Sequence, residues 1–249
     1  MGKIGLRQAD TPQASDLIAL ERPSDNVARY ASVSEVIRAA LASGVTLNLG
    51  NVSGGNYFKI YPDGTVKLFG VATVFEDLRI DATATRTGVV APTDEVGFRG
   101  SANFYSRNFV HNQADEIQFS VQMPHAWKEG GELYPHVHFS PWIANAGAGA
   151  AQFIFEYFQA NNEAEFPGSP ATYTATKTWT GSKIWYHLIA SNATSIDTTG
   201  WTISTIVKTR MYRDNTVSNN LAGKVALLYV DWHYEIDALG SMAEYVKWT

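Results

Sequence analysis

Two stretches in the C-terminal half decide the fold of this chain. They read GGELYPHVHFSPWI at residues 130–143 and GKVALLYVDWHYEID at residues 223–237. Both are dense in aromatic and β-branched residues, which fit the half-buried surface of a pleated sheet. We therefore predict that the two stretches are neighbouring strands of one β-sandwich. Both also carry histidine, which raises the question of whether these strands have a catalytic or metal-binding role.

The composition restricts the classes of protein to consider. Hydrophobic residues make up 45% of the 249 residues, which is too many for a disordered chain. The net charge of −5, with no Lys/Arg cluster, argues against nucleic acid or an anionic membrane as partner. No apolar run reaches the roughly 20 residues that span a bilayer, and Met1–Gly5 lacks the apolar region of a signal peptide. Cysteine is absent, so disulfides and thiolate metal sites are excluded.

The first 44 residues are predicted to form an attachment segment with one short helix. Residues 1–31 are polar and turn-rich apart from the apolar run Leu17–Leu20. Ser32-Val33-Ser34-Glu35 fits a capping box, and the helix it starts is expected to stop at Gly44. One helix face is apolar and, with the run before it, supplies the residues expected to contact another protein: Leu17, Ile18, Leu20, Val33, Val36, Ile37 and Leu41. The alternative is that Leu17–Leu20 is an edge strand packed on the chain's own helix.

Residues 45–100 are predicted to form a β-hairpin connector. The segments 56–61 and 65–69 alternate, and Pro62-Asp63-Gly64 between them is a strong turn signal. Residues 71–80 are expected to add a third strand. The stretch 81–93, rich in Thr, Ala, Gly and Pro, indicates an extended linker.

Residues 101–249 are predicted to form an antiparallel, jelly-roll-like β-sandwich. Short apolar segments separated by Gly, Pro, Asn and Ser follow one another without a helical pattern. The eight expected strands cover residues 103–111, 115–123, 132–143, 151–160, 171–180, 183–190, 202–212 and 224–236. The whole chain is therefore expected to be mainly β.

The histidines are the first candidates for chemistry. His136 and His138 are two positions apart on a predicted strand, so both rings point to the same face. Cupins begin a metal site with this spacing, and His233 could supply a third ligand. However, the glutamate that cupins place a few residues later is missing here. We expect these histidines to be hydrogen-bonded on a half-buried strand face, with no metal and no cofactor.

Acidic and aromatic residues allow two further interpretations. Asp231, Glu235 and Asp237 could form a hydrolytic carboxylate pair, but their alternation with apolar residues is what a strand with one wet face must have. Exposed aromatic side chains could stack on sugar rings, whereas buried ones would fill the core or a subunit interface. We expect the core or an interface for most of them: Trp127, Tyr134, Trp142, Trp179, Trp185, Tyr186, Trp201 and Trp232.

Several short segments resemble structural proteins of tailed-bacteriophage particles. DTPQASDLIAL (10–20) followed by NVARYASVSEV (26–36) is similar to the opening of many phage fibre and appendage proteins. The segments YFKIYPDGT (57–65), ATVFEDLR (72–79), LYPHVHFSP (133–141) and DWHYE (231–235) also resemble phage virion proteins. The resemblance implies a homotrimer that a short N-terminal segment anchors to the particle, and it transfers no catalytic residue.

The expected function is therefore that of a non-enzymatic virion protein, assembled in the host cytoplasm. It would be a trimeric head spike, fibre or decoration protein bound to capsid, neck or tail proteins. One alternative is a tail-associated protein that binds a receptor or a host-surface glycan. Another is a cupin-like metalloenzyme that uses His136, His138 and His233.

Overall fold

The computed structural model describes residues 4–5, 17–20, 29–144, 148–241 and 243–247, with side chains from residue 37 onward. The chain divides into two compact units, Met1–Thr73 and Val74–Thr249. Within the described residues, no helix has both the length and the apolar character needed to span a membrane.

The first unit contains two three-stranded antiparallel sheets and an α-helix. Its elements are, in chain order, β1 (Ile4–Gly5), β2 (Leu17–Leu20), β3 (Arg29–Ser32), α1 (Val33–Ala42), β4 (Leu47–Asn51), β5 (Asn56–Ile60) and β6 (Val66–Phe69). Strand β2 pairs with both β1 and β3, and β5 pairs with both β4 and β6. A 3-10 turn at Gly70–Ala72 follows.

The predicted helix and hairpin are confirmed. Helix α1 lies within the predicted residues 32–43, and Gly44 follows it with φ of +76°. At the hairpin, the Tyr61 amide donates to the Thr65 carbonyl at 2.8 Å, and Gly64 has φ of +88°, a value that favours glycine. The capping box at residues 32–35 lies outside the described side chains.

No side chain between residues 37 and 73 is buried. Every residue of β5 and β6 is only half-buried, and all of β4 after Leu47 is exposed. Val45, Leu49 and Val71 leave 50%, 43% and 82% of their surface accessible. The described side chains of this unit, residues 37–73, therefore form no buried core in a single copy.

The second unit is a sandwich of two antiparallel sheets. Its strands are, in chain order, β7 (Val74–Asp81), β8 (Arg86–Thr87), β9 (Thr93–Val96), β10 (Tyr105–Phe109), β11 (Glu116–Gln122), β12 (Leu133–Pro141), β13 (Gly149–Ala160), β14 (Ala171–Trp179), β15 (Leu188–Ala190), β16 (Ile206–Asp214) and β17 (Val225–Ile236). One sheet has the order β15-β12-β17-β10-β9, with β7 also paired to β17, and the other has the order β14-β13-β16-β11-β8.

The eight strands β10–β17 have jelly-roll connectivity. They pair as nested hairpins: β10 with β17, β11 with β16, β12 with β15, and β13 with β14. One long hairpin folded over into two sheets gives this pattern, so the predicted antiparallel jelly-roll-like sandwich is confirmed. The predicted pairing of residues 130–143 with 223–237 is also present, because β12 and β17 are adjacent.

The core lies between the two sheets and is rich in aromatic side chains. Phe139 on β12 packs against Phe153 on β13 with ring centroids 5.6 Å apart. Trp232 on β17 makes edge contacts with Phe155 and Tyr157 at 6.3 and 6.4 Å. These contacts join opposite sheets, and Trp232, Phe139, Phe153 and Phe155 have no accessible surface. The sandwich therefore has a complete core in a single chain.

Arg213 is a charged side chain that the sandwich encloses. Arg213, on β16, has no accessible surface. Its guanidinium donates to the carbonyls of Phe109, Gly223 and Leu221 at 3.0, 2.7 and 2.7 Å, and to Oδ1 of Asn220 at 2.7 Å. Burial lowers the pKa of Arg213 to about 10, opposed by the nearby charge of Asp115. The arginine thus ties together loops at one end of the sandwich.

The structure places the boundary of the sandwich earlier than residue 100. Strands β7, β8 and β9 fall within the predicted connector at 45–100, yet they pair with β17, β11 and β10. The predicted linker at 81–93 contains a 3-10 turn at Ala82–Ala84 and the two-residue strand β8. Elements this short are too brief to show an alternation of apolar and polar residues. The composition of this stretch therefore suggested a linker.

One predicted strand is much shorter than expected. The sequence indicated a strand over residues 183–190, but only Leu188–Ala190 forms β15. The preceding residues turn: the Tyr186 amide donates to the Lys183 carbonyl at 3.0 Å, and Trp185 has φ of +61°. This turn brings His187 close to β12.

Candidate functional site

The predicted histidines of β12 lie beside an acidic residue of β17. His136 is directly opposite Asp231 in the antiparallel pairing, and Val137 is opposite Val230. Both valines are in the core. Side chains alternate along a strand, so His136, His138 and Asp231 share the face directed away from the core.

Asp231 lies between the two imidazoles. Its Oδ1 is 3.4 Å from Nδ1 of His136, and its Oδ2 is 3.0 Å from Nε2 of His138. Only 2% of Asp231 is accessible to solvent. Burial raises the pKa of Asp231, but the neighbouring imidazoles of His136 and His138 outweigh it and lower the pKa to about 2. The carboxylate is therefore held in its charged form.

His138 also contacts a third histidine. Its Nδ1 lies 2.7 Å from Nε2 of His187, in the turn before β15, so one of these nitrogens donates and the other accepts. Burial, together with the charge of His138, lowers the pKa of His187. The ring of Tyr229 stacks on His138 with centroids 4.0 Å apart. Both ring nitrogens and one ring face of His138 are thus occupied.

The structure pairs His233, the candidate third ligand, with a different residue. Nδ1 of His233 lies 2.8 Å from Oδ1 of Asp77 on β7, and its ring stacks on Phe75 at 4.6 Å. Its ring centroid is 5.4 Å from that of His136. His233 therefore borders the cluster, and the group between His136 and His138 is Asp231.

Asp231 and Glu235 on β17, and Asp237 directly after it, have separate partners. Asp231 contacts the two histidines, whereas Glu235 accepts from Nζ of Lys128 at 2.9 Å and Asp237 accepts from Nζ of Lys247. Asp237 is itself buried. The strand face that the alternation predicted to contact solvent is therefore largely enclosed, and the three carboxylates contact different basic side chains.

Four of the eight aromatic residues singled out in the sequence lie in the core. Trp127, Trp179, Trp201 and Trp232 are buried. Trp142 and Trp185 pack against each other at 5.0 Å and both contact Phe98. Tyr134 is half-buried and Tyr186 is 55% exposed. The expectation of a core or interface location is met for the four buried tryptophans.

A separate cavity of about 450 Å³ lies at the β9–β10 edge of the sandwich. Phe98, Phe104 and Tyr105 line it, and the latter two are 64% and 78% exposed. Arg107 and Asp94 also line it and form a two-bond pair at 2.8 Å. The sequence reasoning did not single out these residues, because they come from short strands and turns.

Comparisons with known proteins give no family for this chain: no family model and no curated protein matches it. Among solved structures it is similar to TmCBM61 in complex with β-1,4-galactotriose, at 12% identity over 66% of this chain and 88% of that chain, with a TM-score of 0.26. It is also similar to a glycoside hydrolase family 43 arabinoxylan arabinofuranohydrolase from Bacillus subtilis in complex with cellotetraose, at 11% identity over 91% of this chain and 49% of that chain, with a TM-score of 0.28. A third similar structure is CBM28, a carbohydrate-binding module specific for non-crystalline cellulose, at 13% identity, 62% and 86% coverage and a TM-score of 0.24. The fold assignment rests on the strand pairing of the chain itself.

Proposed function

We propose that this protein is a non-enzymatic structural component of a tailed-bacteriophage particle. It forms a homotrimer through its N-terminal unit, Met1–Thr73, and this unit also binds capsid, neck or tail proteins. The sandwich unit is attached to the particle through the N-terminal unit. One observation supports these separate roles of the two units. Residues 37–73 bury no side chain, whereas the sandwich buries a hydrophobic core within one chain.

The apolar residues of the N-terminal unit need a covering surface. Ten-residue helices such as α1 are marginal in isolation, and a small sheet needs a hydrophobic face or packing against a helix to be stable independently. Removing apolar surface from water stabilises an assembly by about 25 cal/mol per Å². Covering Leu49 and Val71 with other copies of the chain would therefore stabilise this unit. Trimers bury such surface around a closed symmetry axis.

The predicted attachment residues belong to this unit. Ile37 and Leu41 lie on α1 and are half-buried in the single chain. The side chains of Leu17, Ile18, Leu20, Val33 and Val36 lie outside the described residues. Ile37 and Leu41 are therefore the members of this set that can be altered first.

Incorporation into particles tests the proposal. The full chain and residues 74–249, each with the same C-terminal tag, would be expressed in host cells that produce the particle. Purified particles are then examined by immunogold electron microscopy. The full chain is expected on particles and the 74–249 fragment in the soluble fraction. Equal labelling by the fragment, or no labelling by the full chain, would contradict the proposal.

The edge cavity supports a second candidate function, binding of a host-surface glycan. Exposed aromatic faces such as that of Tyr105 can stack on sugar rings, and Asp94 and Arg107 offer hydrogen-bonding groups beside it. Tyr105→Ala is expected to abolish any signal on a glycan array. Tyr186→Ala is the matched control, because Tyr186 is also exposed and does not line the cavity. A glycan signal unchanged by Tyr105→Ala would exclude this cavity.

A further inference from the structure

The contacts around Asp231 indicate a further function, in addition to the structural role in the particle. We propose that Nδ1 of His136, Nε2 of His138 and the carboxylate of Asp231 form a binding site for one divalent first-row transition-metal ion. The site lies on the face of the β12–β17 pair that is directed away from the core.

The ligand atoms are close enough to share one ion. Oδ1 of Asp231 is 3.4 Å from Nδ1 of His136, Oδ2 is 3.0 Å from Nε2 of His138, and the candidate atoms all lie within 4.8 Å of one another. Nitrogen and oxygen ligands bind zinc at about 2.0–2.2 Å, which places such ligands roughly 3–3.5 Å apart. Both distances from Asp231 to the histidine nitrogens therefore already match the spacing of ligand atoms around one ion.

One oxygen of the cluster lacks a hydrogen-bond donor. Among the described residues, Oδ1 of Asp231 is buried and no donor reaches it with hydrogen-bonding geometry. A buried anionic oxygen without a donor is unusual, because its lost hydration is not replaced. An ion bound between Oδ1 and the imidazole of His136 would satisfy this oxygen.

The surroundings fix the ligands in place. Asp231 and His138 are 2% and 6% exposed, and both lie on paired strands of the sandwich. The second ring nitrogen of His138 contacts His187 at 2.7 Å. In metal-bound histidines the ring nitrogen that does not bind the metal generally makes a hydrogen bond. This hydrogen bond sets the tautomer and the orientation of the ring. His187 is therefore a positioning residue of the site.

The donor set selects the class of ion. Two imidazoles and one carboxylate suit zinc and neighbouring transition metals, whereas Mg²⁺ and Ca²⁺ prefer ligands that are all oxygen. The side chain of His136 is 22% exposed, which gives an ion a path from solvent. Three protein ligands also leave at least one coordination position for water.

Calorimetric titration of the full-length protein with Zn²⁺ tests the site. The chelator-stripped wild type is expected to bind one Zn²⁺ per chain and to give no heat with Mg²⁺. His136→Gln and Asp231→Asn should lose this binding, and His187→Gln should weaken it about 10-fold. His111→Gln, which alters a histidine in the turn after β10, is the matched control and should bind like the wild type. No Zn²⁺ binding by the wild type, or unchanged binding by the two ligand variants, would overturn the proposal.

A measurement on the unaltered chain removes any dependence on how the variants fold. Wild-type crystals soaked in Zn²⁺ are expected to give an anomalous difference peak about 2.0–2.2 Å from Nδ1 of His136, Nε2 of His138 and the Asp231 carboxylate. A peak at another set of side chains, or no peak, would refute the ligand assignment.

Discussion

Nε2 of His138 lies 3.0 Å from Oδ2 of Asp231, across the two strands that the sequence marks as the centre of the fold. The same pairing that builds the jelly roll therefore places a buried carboxylate between two imidazoles. This polar cluster lies on the opposite side of the sheet from Val137 and Val230, which are in the core. Its charge state is a property of the folded chain that can be measured.

The first prediction concerns Asp231 and acid stability. Its pKa in the folded chain is about 2, below the ordinary value of 3.8, so the unfolded chain takes up this proton first as pH falls. The stabilisation is present above about pH 4 and is lost as pH falls towards about 2. Because one pKa unit corresponds to about 1.36 kcal/mol, this stabilisation amounts to about 2 kcal/mol. Urea unfolding of metal-free wild type and Asp231→Asn should differ by this amount near pH 5 and converge near pH 2. A difference that stays constant over this range would contradict the prediction.

The second prediction concerns the enclosed arginine. Arg213→Met removes four hydrogen bonds and leaves the buried carbonyls of Phe109 and Leu221, and the half-buried carbonyl of Gly223, without this donor. Removing one partner of a buried charged network costs about 3–5 kcal/mol. Lys208→Met alters an exposed residue of the same strand and should change stability by less than about 0.5 kcal/mol. Chemical denaturation of both variants measures the loss in the free energy of unfolding. Equal losses would contradict a stabilising role for Arg213.

The third prediction uses two glycines with different surroundings. A Cβ on Gly149 would lie 2.6 Å from the ring of Trp179, which is buried on the neighbouring strand, whereas a Cβ on Gly168 meets nothing within 4 Å. Overpacking of this kind costs about 1–3 kcal/mol. Gly149→Ala should therefore lower the melting temperature, and Gly168→Ala should leave it nearly unchanged. Equal melting temperatures would mean that Trp179 moves without cost.

Much of the fold could be predicted from alternation along the chain. Strands of seven residues or more, such as β12, β13 and β17, show their period in the sequence, and turn residues mark their ends. Strand β8 has two residues and β15 has three, so neither could be separated from its loop. The eight-residue strand β7 was predicted, but its pairing with β17 was not, because pairing between distant segments leaves no local pattern.

The candidate site could be predicted in part. The spacing of His136 and His138 put both rings on one face, but the sequence suggested His233 as their partner. The register decides this: Asp231 is directly opposite His136, whereas His233 is opposite Tyr134 and next to Asp77. His187 comes from a turn, where spacing carries no information about direction. Attachment through residues 1–44, trimer formation and phage identity stay predictions.

The central claim is that the N-terminal unit obtains its core from other copies of the chain. Sedimentation equilibrium of the purified protein tests it most directly. The full chain is expected at three times its mass of 27.3 kDa, and residues 74–249 are expected as a folded monomer. A full chain that sediments at 27.3 kDa across the micromolar range would contradict the account.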